Sequence, residues 1–132
     1  RDVNAIGYFG YAYYAENTSK LKAVPVIEKA GKPAVAPSEK TVLDGSYQPL
    51  SRPIFIYVNA KAIEKAEVKE FVEYYMKEGA KLAKEVKYVP LPAKAYTVNL
   101  DHVTKKKIGT VFGGKAEVGV TIEELQRREG KL

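Results

Sequence analysis

Apolar side chains recur at helical spacing between residues 66 and 86, and this is the strongest periodic signal in the chain. The stripe consists of Val68, Phe71, Val72, Tyr75 and Met76. These positions share one side of a helix, while the intervening glutamates and lysines face water. We expect Gly79 to interrupt this helix, because glycine is unfavourable in helix interiors. A second helical piece then runs to the proline-rich segment 88–92.

A continuous run of five β-prone residues occupies positions 54–58. Unbroken apolar runs are typical of strands that are buried on both faces, as in the inner strands of an α/β sheet. The predicted strand covers 47–58, and Pro49 and Pro53 hold the residues before them in extended geometry. A weaker strand is predicted over 21–27.

Three further helices are predicted, two of them from capping residues. Ser38 is a favourable N-cap and Gly45 a favourable C-terminal stop, which predicts a short helix between them. Thr121 followed by Glu124 fits a capping box and predicts a helix near the end of the chain. Another helix is predicted over 96–108.

Composition narrows the possible function. The chain has 132 residues, of which 45% are hydrophobic, and this length and content suffice for one domain with its own core. The net charge is +6, but the only tight basic run is 105–107. We therefore interpret most lysines as a solvated face and expect no nucleic-acid partner. The absence of cysteine excludes a disulfide framework, a thiolate metal site and a cysteine nucleophile.

Few residues offer catalytic chemistry. His102 is the only histidine, and we expect it to be an exposed surface group. Glu123 and Glu124 are adjacent and face different sides of a helix, which makes a poor acid–base pair. The glycines at 113 and 114 lack the lysine and hydroxyl residue of a phosphate-binding P-loop. We expect a protein that is not an enzyme and has neither a cofactor nor a metal site.

Ser51 and Arg52 form the one polar pair with possible ligand chemistry. A guanidinium offers a rigid fork of donors that matches a phosphate, and a serine hydroxyl can donate to an oxyanion. The alternative is that both residues brace a hinge at the entry of the 47–58 strand. Five aromatic residues between Tyr8 and Tyr14 likewise allow a ligand platform, although a packed helix start is the preferred interpretation.

Two blocks of sequence carry a family resemblance. Residues 4–14 read NAIGYFGYAYY and residues 44–58 read DGSYQPLSRPIFIYV. Both resemble the C-terminal half of the phosphate-type solute-binding proteins, the extracytoplasmic receptors of ABC phosphate importers. The resemblance implies an α/β fold, namely the C-terminal half of a type II periplasmic-binding-protein fold, in which two α/β lobes are joined by crossover hinge strands.

This resemblance also implies a division of the chain and a function. Residues 1–48 would belong to the second lobe, 49–58 to a crossover or hinge strand, and 59–132 to the C-terminal part of the first lobe. The implied function is periplasmic or other extracytoplasmic binding of inorganic phosphate and its delivery to an ABC permease in the membrane.

In that reading, the N-terminal half of the same receptor is the structural partner of this chain, and it would carry the main phosphate-binding loops and an export signal. An isolated chain is expected to self-associate. The alternative function is an autonomous small basic interaction module or enzyme inhibitor that binds an anionic or protein partner.

Overall fold

The computed structural model describes residues 2–115 and 117–131. Its α-helices are α1 (Tyr11–Ala15), α2 (Glu39–Leu43), α3 (Ala66–Glu85), α4 (Ala93–Thr104) and α5 (Ile122–Glu129), with a 3₁₀ turn at Ala62–Glu64. Within these residues, β pairing is confined to an antiparallel bridge between Val26 and Val35, whose two hydrogen bonds are both 2.9 Å long. The described part of the chain is therefore predominantly helical.

The two predicted strands do not form as strands. Segments 21–27 and 47–58 lack a ladder, apart from the single bridge of Val26. A strand exists through hydrogen bonds to a neighbouring strand, and the described residues supply no such neighbour. Ile54 and Tyr57 remain 72% and 80% exposed. The prediction of a doubly buried strand is thus wrong for this structure, and the α/β class is not visible as a sheet.

The packed part of the molecule consists of α3, α4 and α5. Its buried apolar side chains are Val72 and Met76 from α3, Ala95 from α4 and Leu125 from α5. The prediction that Gly79 interrupts α3 is wrong, since the helix continues through it. A methyl group at Gly79 would lie 2.8 Å from the ring of Tyr96, so the glycine allows α3 and α4 to approach closely.

Both predicted N-caps are confirmed, but the capping box expected at Thr121 is only half formed, because the Glu124 carboxylate accepts from Arg127 and Arg128 rather than from the Thr121 amide. The Ser38 hydroxyl accepts from the Thr41 amide at 3.1 Å, and the Thr41 hydroxyl accepts from the Ser38 amide at 2.9 Å. Gly45 follows α2 with a φ of +72°, a conformation that glycine adopts without strain. Thr121 caps α5 by accepting from the Glu124 amide at 3.3 Å. The helix predicted over 96–108 is present with shifted ends, since it begins at Ala93, directly after a proline, and ends at Thr104.

The molecule exposes a large surface for its mass. Its accessible area is 10,244 Å², whereas a compact monomer of this mass exposes roughly 6,900 Å². Many large apolar side chains contribute to this surface, among them Ile6 and Tyr8, at 90% and 85% exposure. Among the described helices, none has the length and apolar character needed to span a membrane.

Candidate functional site

Ser51 lies in a turn that uses its hydroxyl internally. The hydroxyl donates to the carbonyl of Tyr47 and accepts from the side-chain amide of Gln48 at 3.1 Å. The side chain is half-buried. Because its proton is committed to a backbone carbonyl four residues earlier, Ser51 holds the turn closed in this structure.

Arg52 follows directly and faces solvent. Its guanidinium donates to the carbonyl of Leu50 at 3.4 Å, a long and exposed hydrogen bond. Within residues 2–115 and 117–131, no carboxylate lies within ion-pair distance of it. The fork of Arg52 therefore remains available for an anion or a carboxylate, whereas Ser51 is already engaged.

The turn rests on the residues that precede α5. A methyl group at Gly119 would lie 3.9 Å from the side-chain amide of Gln48, and one at Gly45 would lie 3.5 Å from Thr121. The side-chain oxygen of Gln48 is buried here without a hydrogen-bond partner in the described structure. Sequence reasoning missed this contact, because about 70 residues separate its two sides and no local pattern marks it.

The aromatic residues near α1 do not enclose a ligand platform. Tyr13 is 67% exposed, while Tyr11 and Tyr14 are half-buried, with ring centroids 6.2 Å apart. A cleft of about 200 Å³ lies beside them and is lined by Ala12, Tyr13, Glu16, Val86 and Tyr88. Only a small group would fit in this volume. The preferred packed helix start is not seen either, because α1 buries none of its residues and Tyr8, Phe9 and Tyr13 are exposed.

The phenol of Tyr47 has a raised pKa. Burial raises the pKa of Tyr47, and the nearby phenol of Tyr8 raises it further. Tyr47 consequently stays neutral throughout the physiological range. Its carbonyl receives the Ser51 hydroxyl, so the residue anchors the turn through its backbone as well as its side chain.

The basic run 105–107 is engaged within the protein. Lys105 pairs with Asp101 at 2.8 Å, and Lys106 lies 3.7 Å from Glu64. Lys107 reaches the last carbonyls of α5 at 3.4 and 3.5 Å. A cation at this end of a helix interacts favourably with its dipole. These contacts favour structural roles for the three lysines over a nucleic-acid surface.

The expectation that His102 is an exposed surface group is wrong. Only 17% of its side chain is accessible, because α4 packs its C-terminal half against α5. Its Nδ1 atom lies 3.9 Å from a carboxylate oxygen of Glu129. Among the described residues, no group of three or more histidine, aspartate or glutamate side chains is placed to hold a metal ion.

Glu124 is the centre of an ion-pair network on α5. It receives two hydrogen bonds from Arg127, at 2.6 and 2.7 Å, and one from Arg128 at 2.8 Å. Arg128 also pairs with Glu117. Hydrogen bonding to Arg127 and then Arg128 lowers the pKa of Glu124 to about 2. The side chain is fully committed to these arginines, which indicates a structural rather than an acid–base role.

The sequence has named relatives over almost its full length. It is 52% identical to Protein SphX of Synechococcus elongatus over 130 residues, which are 98% of this chain and 38% of that protein. It is 44% identical to the phosphate-binding protein PstS of Staphylococcus aureus over 102 residues, which are 76% of this chain and 31% of that protein. No family model matches the sequence.

A solved structure resembles the fold. It is the crystal structure of a possible phosphate binding protein from Planctomyces limnophilus, with a TM-score of 0.60 and 38% sequence identity. The match covers 76% of this chain and 36% of that one. The chain thus spans between about a third and two fifths of the length of the proteins it matches.

These comparisons confirm the resemblance inferred from the two sequence blocks. The segment that aligns is the C-terminal portion of the relatives. The names of PstS and of the solved protein state binding rather than catalysis, in agreement with the expectation of a protein that is not an enzyme. The chain is therefore homologous to the C-terminal portion of Protein SphX and of the phosphate-binding protein PstS.

Proposed function

We propose that this chain is the C-terminal part of an extracytoplasmic receptor that binds inorganic phosphate and delivers it to an ABC importer. The single observation that carries the proposal is its 44% identity to a protein named for phosphate binding. An autonomous basic module is disfavoured, because 98% of this chain aligns with one part of a longer protein. No region is left that would be specific to such a module. The large exposed area is also unusual for a self-contained monomer.

We further infer that residues 1–48 belong to the second lobe, 49–58 to a crossover strand and 59–132 to the first lobe. The packing of α4 against both α3 and α5 supports one body for the C-terminal stretch. The extended and exposed run 54–58 supports the crossover, since such a segment gains its partners when neighbouring strands are present. Closure of two lobes around the anion would then bend the chain near residues 48–53.

The roles of Ser51 and Arg52 differ within this proposal. Ser51 braces the hinge turn through Tyr47 and Gln48. Arg52 stands at the mouth of the crossover with an uncommitted guanidinium, where it would tie the strand to a carboxylate of the other lobe or contact the anion. We favour the bracing role and assign the main phosphate donors to the portion of the receptor outside these residues.

In this mechanism the receptor binds and releases phosphate without changing it chemically. The receptor would work in the periplasm or another extracytoplasmic space, and its closed form would dock on the membrane permease. Discrimination between anions would arise from the number and kind of hydrogen-bonding groups, since phosphate retains a proton near neutral pH that an acidic acceptor can bind and sulfate does not.

Titration calorimetry tests this proposal. Inorganic phosphate is titrated into the complete receptor and into the 132-residue chain alone, with sulfate as the control anion. We expect saturable binding of phosphate by the complete receptor and negligible binding by the chain alone, because the main donors lie elsewhere. Tight binding by the chain alone would place the site among its own residues, and failure of the complete receptor to bind phosphate would refute the function.

A further inference from the structure

A cleft between α1 and the end of α3 is lined by two aromatic rings and a carboxylate. Its volume is about 200 Å³, and it is lined by Ala12 and Tyr13 of α1, Glu16 just after that helix, and Val86 and Tyr88 just after α3. We call it the tyrosine cleft. About 70 residues separate its two walls in sequence, so folding alone brings them together. It shares no lining residue with the turn at 47–52.

The backbone at the end of α3 fixes the position of Tyr88. The Tyr88 amide donates to the carbonyl of Ala83 at 2.9 Å, and the Lys87 amide donates to that of Lys84 at 3.0 Å. This pair of hydrogen bonds is the Schellman motif, in which the residue after the C-cap adopts a left-handed conformation. Lys87 does so with a φ of +60°. Tyr88 is therefore held by the helix end rather than by a free loop.

The opposite wall is held by Asn17. Its side-chain amide donates to the carbonyl of Tyr13 at 2.9 Å, and its backbone amide donates to the carbonyl of Tyr14, also at 2.9 Å. Glu16 precedes this residue and is exposed. In the described part of the chain, no cation lies within ion-pair distance of the Glu16 carboxylate. The carboxylate is thus free to pair with a ligand.

The electrostatics of the tyrosine cleft favour a cation. Glu16 carries the one charge among the described residues that line it. The rings of Tyr13 and Tyr88 are accessible, with side chains 67% and 52% exposed, and the face of an aromatic ring attracts positive charge. The carboxyl-terminal end of a 20-residue helix adds partial negative charge. Lys84 and Lys87 oppose this attraction from exposed positions outside the lining, where water and salt screen them.

The lining also selects the kind of cation. A primary ammonium has three donors and is strongly hydrated, so it needs several acceptors when it leaves water. The cleft offers one carboxylate and two phenol oxygens, and its other walls are the aliphatic side chains of Ala12 and Val86. A methylated ammonium needs fewer acceptors, and aromatic rings are its usual partners in proteins. The volume suits such a head group and is too small for a drug-sized molecule.

We propose that the tyrosine cleft is a second ligand site, which binds a small organic cation with a methylated ammonium head group. The cation lies between Tyr13 and Tyr88 and pairs with the carboxylate of Glu16. Because both rings are largely exposed, binding is weak and depends on the charge of the ligand. The inference goes beyond the proposed function and does not depend on phosphate binding.

Calorimetry with choline tests the charge requirement. Choline is titrated into the complete receptor at constant ionic strength, and its uncharged isostere, in which carbon replaces the quaternary nitrogen, is titrated as the control. We expect saturable binding of choline and binding of the isostere that is roughly tenfold weaker or absent. No binding of choline, or equal binding of the two molecules, would overturn the proposal.

Substitutions locate the site. Tyr88→Ala and Glu16→Gln should each weaken choline binding about three- to tenfold, whereas Tyr88→Phe keeps the ring and should bind nearly as well as the original protein. Tyr74→Ala is the matched control, because it removes a ring of similar exposure, 55%, from α3 outside the cleft. Glu16 is exposed, so its variant tests the site even if Tyr88→Ala lowers stability. Unchanged binding in Glu16→Gln, or an equal loss in Tyr74→Ala, would refute the assignment.

Lys87→Gln distinguishes an external cation from an internal one. Because a like charge is removed beside the cleft, choline binding should stay unchanged or strengthen by up to about threefold. Choline binding that appears only in this variant would show that the lysine ammonium itself fills the cleft, which would overturn an external ligand. Phosphate titration of the same samples separates this inference from the proposed function, since each ligand can bind without the other.

Discussion

Ser51 and Arg52 are neighbours in sequence, but their side chains differ in how far they are engaged in hydrogen bonds. The Ser51 hydroxyl is held by a backbone carbonyl, whereas the Arg52 guanidinium has a single long contact with a carbonyl two residues away. The sequence pointed to both residues as a pair because serine and arginine are each suited to anions. Their separate environments depend on how the turn folds, and no spacing rule contains that information.

Arg52 allows a direct prediction in the complete receptor. If Arg52 braces the crossover, Arg52→Ala should lower the melting temperature and leave the affinity for phosphate nearly unchanged. If it contacts the anion, the same variant should lose about 1.5–3 kcal/mol of binding free energy, roughly a ten- to hundredfold loss of affinity. Calorimetry and thermal unfolding of the same samples distinguish the two roles.

Arg52→Lys is the control for this experiment. Lysine keeps the charge but lacks the planar fork. Under the bracing role we expect Arg52→Lys to recover much of the stability that Arg52→Ala loses, with the phosphate affinity close to the original value in both variants. Restored stability with weak phosphate binding would instead reveal a bidentate contact between Arg52 and the anion, contrary to our preference.

Among the elements, helices were predicted far better than strands. The caps Ser38 and Thr121 act within one turn of the chain, so the sequence alone located α2 and α5. The predicted strand at 47–58 requires a neighbour that the described residues do not provide, and local pattern cannot supply one. The prediction at Gly79 failed for a different reason. The sequence predicted a helix break there, whereas the glycine lies inside α3 and faces Tyr96 of α4, a helix that begins 14 residues further along.

The crossing of α3 and α4 gives a prediction about Gly79. Gly79→Ala should destabilise the protein by about 1–3 kcal/mol, because the new methyl group would overlap the Tyr96 ring and force the helices apart. Helix propensity alone would make the same change stabilising by about 1 kcal/mol. Urea unfolding of the variant determines the sign.

Ala80→Gly, next to that crossing, provides the comparison, since it alters helix propensity beside the contact without adding a group to it. A stabilised Gly79→Ala protein would mean that α3 and α4 are not pressed together at this point. A double variant with Tyr96→Ala should recover much of the loss, because the obstructing ring is removed.

At the scale of the whole molecule, surface area is the dominant feature. The chain exposes about 1.5 times the area expected for a compact protein of its mass, while four apolar side chains are buried in its described core. Composition predicted enough hydrophobic residues for one domain with its own core, yet only these four are buried among the described residues. It could not tell whether those residues would cover one another, since coverage depends on which surfaces the chain brings together.

The isolated chain should therefore self-associate. At micromolar concentration we expect sedimentation velocity to show dimers or larger species and a hydrophobic dye to bind, because uncovered apolar segments such as 54–58 present both side chains and free backbone groups. Tyr57→Lys should reduce the association, with Lys61→Ser as a control outside the run. A compact monomer that unfolds cooperatively would contradict this expectation and would favour an autonomous module.

The contact between Gln48 and Gly119 gives the short C-terminal helix a mechanical part to play. The turn at 47–52 lies near the chain just before α5, and the carbonyls at the far end of α5 accept hydrogen bonds from Lys107, three residues beyond the end of α4. A movement of the turn would reach the residues just before α5, while Lys107 holds the carbonyls at the other end of that helix. The last helix of the chain would then respond to a change in this turn, although about 70 residues separate the two in sequence.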